Sequence, residues 1–416
     1  MTNKARLQCV SCSNTYPLFE LRYECDCQGL LEVIHADDGM NNLAKLADQR
    51  LMSRLPADRS GVWRFREGVV PLQPDEFITQ QEGGTGFHHI EALCQWAGSK
   101  GLYLKHEGEN PTGSFKDRGM TAAVTVAKKL GVKLLACAST GNTSSALSSY
   151  AARAGLQAVV FLPSGKVSLG KMAQTLGYGA HVLAVKGDFD DAMQIVRDLA
   201  RDGQVYMVNS LNPFRIEGQK TIIWEILQDL EWQAPDWIVV PGGNLGNTSA
   251  FGKAIEEAFN WGWITKKPRL ATIQASGANP FYKSFLKGFE TIDAIQAETI
   301  ATAIRIGNPV NFTRASRAII NTRGIVGQVS DKEILAAKAA IDRSGLGCEP
   351  ASAATLAGLK LMVRAGLVKK EDKVVAVLTG HMLKDTDAIM KSQTLACEEV
   401  EADAKAIQLS LDRLRN

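Results

Sequence analysis

The chain has 416 residues, long enough for two or three domains. With 45% hydrophobic and 22% charged residues and a net charge of +3, it reads as a soluble globular protein. No long basic block argues for a nucleic-acid partner, and no apolar run is long enough to cross a bilayer. Met1-Thr2-Asn3-Lys4-Ala5-Arg6 leads into no apolar signal region, so a cytoplasmic protein is expected. Its eight cysteines then read as thiols or metal ligands rather than disulfides.

Cys9 and Cys12, followed by Cys25 and Cys27, have the makings of a small structural zinc ribbon. The first pair has a good spacing, whereas one intervening residue is tight for the second. A metal-free mini-domain with four thiols is the alternative. His35 reads as a substitute ligand or as a surface histidine. Residues 41 to 80 hold a short amphipathic helix (Leu43, Leu46, Leu51) and a Trp63-Arg64-Phe65 segment without evident chemistry. Glu82-Gly83-Gly84-Thr85-Gly86 is a glycine turn, and Gly101 to Lys105 reads as a strand.

Asn110-Pro111-Thr112-Gly113-Ser114-Phe115-Lys116-Asp117-Arg118-Gly119 is the stretch on which the rest turns. Pro111 and Gly113 break regular structure, Ser114 can cap, and the spacing predicts a helix over Lys116 to Lys129. A lysine at a helix start meets the positive end of the dipole. The dipole and any burial would lower its pKa and favour the neutral amine that attacks aldehydes. The plain alternative is a solvated lysine in a first turn.

Strands and helices then alternate. Lys133 to Ala138 is a buried strand, Ser139 to Thr143 a polar turn, and Ser144 to Ala154 a helix. Amides at that helix start suit an anion or a polar ring substituent; Asn142 alone would also serve as a cap. Strands at Gln157 to Leu162 and Ala180 to Val185 alternate with helices at Lys171 to Leu176 and Asp190 to Arg201. This pattern implies a parallel sheet with right-handed crossovers. Asn209, Ser210 and Asn212 lead to Arg215, suited either to bidentate phosphate binding or to a surface ion pair.

Trp237 to Val240 is a strand running into Pro241-Gly242-Gly243-Asn244-Leu245-Gly246, and a helix follows. This is the best phosphate cradle in the chain, and it is neither a Walker loop nor a dinucleotide fingerprint. Further strands are expected at Leu270 to Ala275, Ile325 to Val329 and Lys373 to Leu378. Helices are expected at Asp331 to Ser344, from Glu349, and at Glu398 to Arg415. Thr379 stands at a strand's carboxyl end, where open α/β sheets bind ligands.

In order and spacing, these motifs resemble the threonine synthase family of pyridoxal-phosphate enzymes, over nearly the whole chain. The resemblance implies an α/β protein of the tryptophan-synthase-β-like class (fold type II), with two open parallel-sheet domains. It implies a ribbon at 1–40, a large cofactor domain from 41–125 and 220–395, a small domain at 126–219 and a C-terminal helix at 396–416. By the same resemblance, Lys116 holds the aldehyde of pyridoxal 5'-phosphate and Asn142 meets its ring hydroxyl. Gly242, Gly243, Asn244, Leu245 and Gly246 wrap its phosphate, and Thr379 faces its ring nitrogen. A neutral hydroxyl there leaves that nitrogen less protonated than a carboxylate would, which suits elimination and replacement.

The implied reaction takes O-phospho-L-homoserine and water to L-threonine and phosphate. Ser139, Thr143, Asn209, Ser210 and Arg215 match the family's substrate-phosphate positions, and a homodimer is expected. Two positions depart from the family pattern. Gly86-Phe87 stands where Pro-Leu is usual, and Met382 stands where a second glycine is usual. Rival readings are a cysteate synthase acting on O-phosphoserine and sulfite, a threonine dehydratase without need of Arg215, and a catalytically dead protein whose cysteines bind nucleic acid.

Overall fold

A computed structural model describes residues 5–139, 141–165, 169–187, 189–392 and 398–415. Near the N-terminus, β1 (Arg6–Cys9), β2 (Thr15–Pro17) and β3 (Leu31–Ile34) form an antiparallel sheet in the order β2-β1-β3. Then β4 (Phe87–His88) and β5 (Gly101–His106) pair antiparallel. Four strands follow as a separate parallel sheet: β6 (Leu134–Ala138), β7 (Gln157–Pro163), β8 (His181–Val185) and β9 (Tyr206–Met207), in the order β8-β7-β6-β9. The chain then returns through β10 (Trp237–Pro241), β11 (Arg269–Ala275), β12 (Ile325–Val329) and β13 (Lys373–Leu378). These complete a six-stranded sheet in the order β12-β11-β10-β13-β5-β4, parallel except at β4.

The central strands are apolar on both faces because helices cover both faces. In β10, Ile238 and Val240 pack with Trp224, Phe251 and Ile255, while Trp237 and Val239 pack with Leu356 and Leu359 on the other side. Full burial of each such side chain is worth about 1.5–3 kcal/mol. The smaller sheet repeats the scheme. Leu135 and Val160 meet Leu147 and Tyr150, whereas Ala136 and Val159 meet Ala192 and Val196.

Helix Lys116–Lys129 has the predicted bounds; Phe115 is its N-cap residue, while the Ser114 hydroxyl accepts the Lys116 amide at 3.4 Å. It crosses helix Pro213–Asp229 almost backbone to backbone. A Cβ on Gly218 would lie 1.8 Å from the Arg118 carbonyl oxygen, and one on Gly119 would lie 3.0 Å from that of Arg215. Only glycine allows this approach. It brings Arg215 and Gln219 against the first turns of the Lys116 helix.

The antiparallel sheet is welded to the main body. Leu7, Leu31 and Val33 join the core that holds Trp224, and Arg317 forks onto Glu32 at 3.0 and 2.5 Å. His35 is not a surface residue. Its Nε2 lies 2.7 Å from Glu217, which also pairs with Lys220 at 2.6 Å and with Lys253. Burial holds the His35 pKa down near 4, which keeps the ring neutral. The C-terminal helix is shorter than expected, Ala404–Arg415, and residues 396, 397 and 416 of the expected segment lie outside the described residues.

Candidate active site

Most of the residues singled out in the sequence follow the carboxyl ends of parallel strands: Ser139 after β6, Asn209 and Ser210 after β9, the Gly242 turn after β10, and Thr379 after β13. The Lys116 loop, which follows β5, is fastened to the end of β13. Phe115 N–H donates to the Thr379 carbonyl at 3.0 Å, and His381 N–H donates to that of Gly113 at 2.9 Å. Asp117 closes the loop on itself, taking the Thr112 amide at 2.7 Å and its hydroxyl at 2.6 Å.

Lys116 is part-buried, its Nζ 4.2 Å from the centre of the Phe115 ring, and it forms no ion pair among the described residues. Its pKa is pushed down to about 7 by burial first and by the Arg215 guanidinium second, with Glu349 opposing. A substantial share of this amine is therefore uncharged near neutrality.

The glycine turn fits a phosphate. A Cβ at Gly242 would lie 2.6 Å from Thr272 Cγ2, and one at Gly243 would lie 3.0 Å from the Ala303 carbonyl oxygen. The Gly242 amide is spent on the Ile273 carbonyl at 2.7 Å, so Gly242 shapes the turn. The next four amides, Gly243 to Gly246, have no acceptor among the described residues and lead into helix Gly246–Asn260. Leu245, at φ 61°, takes the left-handed conformation at the helix start, a backbone form found in anion-binding turns. Two buried side-chain oxygens beside this helix start, Gln219 Oε1 and Asn247 Oδ1, have no hydrogen-bond partner among the described residues. Gln219 Oε1 is 3.4 Å from where a Gly246 Cβ would stand, and Gln219 Nε2 is 2.8 Å from where a Gly119 Cβ would stand. Gln219 thus spans from the Lys116 helix to the glycine turn, so both border one space. The sequence reading did not single it out.

Asn142 is the first residue of its helix, behind Gly141 as N-cap, so it is not the cap. Its Nδ2 donates to Glu349 Oε2 at 2.9 Å. Thr379 Oγ1 lies 3.2 Å from Glu349 Oε1 and 2.9 Å from Ser352 Oγ. Glu349 therefore links both residues that the resemblance assigns to the cofactor ring. The sequence offered it only as a helix start.

Arg215 is 2% exposed, and it is not a surface ion pair. Nη1 donates to the Val208 carbonyl at 3.0 Å, while Nε and Nη2 have no acceptor among the described residues. Burial lowers its pKa to about 10. Ser139, Thr143 and Ser210 are part-buried at the neighbouring strand ends. Asn209 is turned inward. Its Oδ1 accepts from Ala138 N–H at 3.1 Å and its Nδ2 donates to the Ala138 carbonyl at 3.0 Å, so its amide pins β6.

The Gly83-Gly84-Thr85 turn also proves internal. The Gly84 and Thr85 amides donate to Glu225, and the Thr85 hydroxyl donates to Glu107 at 2.8 Å. Both carboxylates hold the buried Arg118, Glu107 at 2.7 Å and Glu225 at 2.9 Å. The four N-terminal thiols lie together, with Sγ separations of 3.5 Å (Cys9–Cys27) and 3.4 Å (Cys12–Cys25 and Cys12–Cys27), all within 4.8 Å.

Residues 78–380 match the family described as pyridoxal-phosphate dependent enzyme. The threonine synthase of Methanocaldococcus jannaschii is 44% identical over 409 residues, covering 98% of this chain and 99% of that protein. That of Methanosarcina acetivorans is 45% identical over 408 residues, with 97% of each covered. This chain belongs to the threonine synthase family of pyridoxal-phosphate enzymes. It is accordingly a lyase that uses pyridoxal phosphate. The solved threonine synthase of Escherichia coli has the same fold, with a TM-score of 0.72 at 16% identity over 98% of this chain and all of that one. No described helix is long and apolar enough to cross a membrane.

Proposed function

We propose that the chain converts O-phospho-L-homoserine and water to L-threonine and phosphate. When bound, pyridoxal 5'-phosphate supplies an aldehyde for the substrate amine and a ring that draws charge from Cα. Lys116 would hold that aldehyde at rest. Once displaced, its uncharged Nζ takes the Cα proton and carries protons along the substrate face it touches. One Cβ proton would also leave, the Cγ–O bond would break with its electron pair going to phosphate, Cγ and Cα would each regain a proton, and water would give its oxygen to Cβ and its remaining proton to the departing phosphate. Gly243, Asn244, Leu245 and Gly246 would hold the cofactor phosphate, with Gly242 shaping the turn. Asn142 would meet the ring hydroxyl and Thr379 the ring nitrogen. Ser139, Thr143, Ser210 and Arg215 would receive the substrate phosphate, with Asn209 holding the strand end beneath them.

The observation that carries the substrate choice is Arg215. A buried guanidinium with two unpartnered nitrogens is costly unless an anion arrives, and its charge acts on Lys116. A dehydratase needs no such second anion site. The test is phosphate release from O-phospho-L-homoserine with threonine detected in equal amount. Turnover of O-phospho-L-serine with sulfite, without turnover of phosphohomoserine, would reverse the choice.

The reading extends to the rest of the chain. Cys9, Cys12, Cys25 and Cys27 would hold one structural zinc ion. A tetrahedral site with Zn–S bonds of about 2.3 Å sets its sulfurs about 3.8 Å apart, near the separations given above. Gly29 leaves room for it, since a Cβ there would lie 2.6 Å from Cys9 Sγ. Elemental analysis finding no zinc in protein purified without chelator would remove it. Residues 41–125 with 220–395 would form the cofactor domain, 126–219 the small domain, 1–40 the ribbon and 396–416 a C-terminal helix. The enzyme would work in the cytoplasm as a homodimer, which light scattering of the purified protein can check.

A further inference from the structure

The hydroxyl of Thr379 has a fixed direction, and counting protons finds it. A serine hydroxyl has one proton and two lone pairs. Ser352 Oγ accepts the Thr379 amide at 2.8 Å and the Gly380 amide at 3.0 Å, which uses both lone pairs. Its proton is left for Thr379 Oγ1, 2.9 Å away. Thr379 Oγ1 therefore accepts from Ser352, and its own proton goes to Glu349 Oε1 at 3.2 Å. The other oxygen of Glu349 accepts from Asn142 at 2.9 Å. Both oxygens then act as acceptors, which is how the ionised carboxylate bonds.

Glu349 is well placed for this role. It is 5% exposed and is the N-cap residue of helix Pro350–Arg364, yet its side chain does not cap that helix. Its carboxyl lies against Gly380, where a Cβ would come within 2.6 Å of Cδ. The charged groups that act on it are Lys116 from the catalytic loop and Lys384 from the turn after β13. Burial is the largest influence and raises its pKa above the ordinary carboxylate value, while the bonds from Asn142 and Thr379 and the charges of Lys384 and Lys116 act against burial and favour the ionised form.

We infer that Glu349 is a positioning residue that commits the Thr379 proton, so that Thr379 offers the cofactor ring nitrogen only a lone pair. An acceptor there matches a ring nitrogen that carries a proton. This reverses the expectation for an isolated hydroxyl, and it gives the ring a stronger pull on the electrons of Cα. One Asn142 N–H is held by the same carboxyl, which leaves the other for the ring hydroxyl. The inference rests on the pyridoxal-phosphate reading of the site.

The test is the 15N chemical shift of cofactor labelled at the ring nitrogen, measured in the reconstituted protein near pH 8. The expected result is the shift of a protonated pyridine in the unaltered protein. In Glu349→Gln and Glu349→Ala it should move toward the unprotonated value, because the negative charge is gone. Ser352→Ala should leave it unchanged, since Thr379 still donates to Glu349. An unprotonated shift in the unaltered protein, or no movement in the Glu349 variants, overturns the inference. Failure of the labelled cofactor to bind at all, seen as no visible absorbance, would instead overturn the reading on which it rests.

Discussion

Replacing Arg215 with leucine should separate binding from stability, because the two effects have opposite signs. The guanidinium is pushed from its ordinary 12.5 to about 10 by burial, which corresponds to about 3 kcal/mol of unfavourable charge burial. Leucine removes that cost together with the bond to Val208. The phosphate-free protein should therefore melt at the same temperature or higher. Binding moves the other way. Two unpartnered nitrogens offered to one anion are worth about 1.5–3 kcal/mol each as charged hydrogen bonds. Their loss should lower kcat/KM for phosphohomoserine by about 10² to 10⁴, at about 1.4 kcal/mol per decade. Inorganic phosphate should raise the melting temperature of the unaltered protein and not that of Arg215→Leu.

A third consequence concerns Lys116, because Arg215 is the second cause of its lowered pKa. In Arg215→Leu the pH midpoint for cofactor uptake should rise. Differential scanning fluorimetry with and without phosphate, steady-state kinetics and stopped-flow reconstitution read all three. A variant that melts lower without phosphate, keeps its KM and keeps the reconstitution midpoint would refute the assignment of Arg215 as an anion receptor.

In the unaltered protein, the rate of cofactor uptake should follow the uncharged Lys116 amine. It should climb as pH rises through about 7 and level off above it. Lys116→Ala should bind cofactor without the visible band near about 410 nm that a lysine-held cofactor gives; a band of full intensity in that variant would move the role elsewhere. Gly218→Ala puts a methyl 1.8 Å from the Arg118 carbonyl, so it should cost at least about 3 kcal/mol and yield little folded protein; normal expression and melting would contradict the close helix crossing. Glu225 is held well below the usual carboxylate range, with Arg118, Lys105 and Arg64 as the pairing charges. Its contribution is present at neutral pH and is lost as acid takes the pH down through its folded pKa. Glu225→Gln should destabilise by about 3–5 kcal/mol at pH 7, and the deficit should shrink in acid. A deficit independent of pH would show that shape, not charge, is at stake.

Much of this architecture follows from local pattern. The helix at Lys116–Lys129 and the strands at Ile325–Val329 and Lys373–Leu378 fall where apolar spacing places them, because each element buries a face that its own residues specify. Contacts between distant segments are another matter. Asn142 and Glu349 are 207 positions apart, and nothing in either stretch announces the other. Thr85 sits in a turn with the composition of a binding loop, yet its partners Glu225 and Glu107 make it a brace for Arg118. His35 looked like an isolated histidine until Glu217 met it in the interior. Asn209 stands just after β9, and both ends of its amide close on Ala138, 71 positions away. In each case a polar residue had to find its partner across the fold, because the interior offers no water to take that part.

The same long-range placement gives the cleft its electrostatic behaviour. Lys116 and Arg215 are two basic groups around one space, and at Lys116 the Glu349 carboxyl opposes burial and the Arg215 charge. Such a site favours anions, and it keeps the amine uncharged while it waits. An anion on Arg215 cancels the second cause of the lowered Lys116 pKa and leaves burial against Glu349. The amine is then more basic with the substrate phosphate in place than without it. A base is most useful when the proton it must take is present; with Arg215 receiving the substrate phosphate and Lys116 acting as the base, as proposed, substrate arrival would itself raise the basicity. Departure of phosphate restores Arg215 to its unpartnered state and lowers the affinity of Lys116 for a proton. The close crossing at Gly119 and Gly218 is what makes this coupling possible, since any larger residue there would hold the guanidinium away from the lysine's helix.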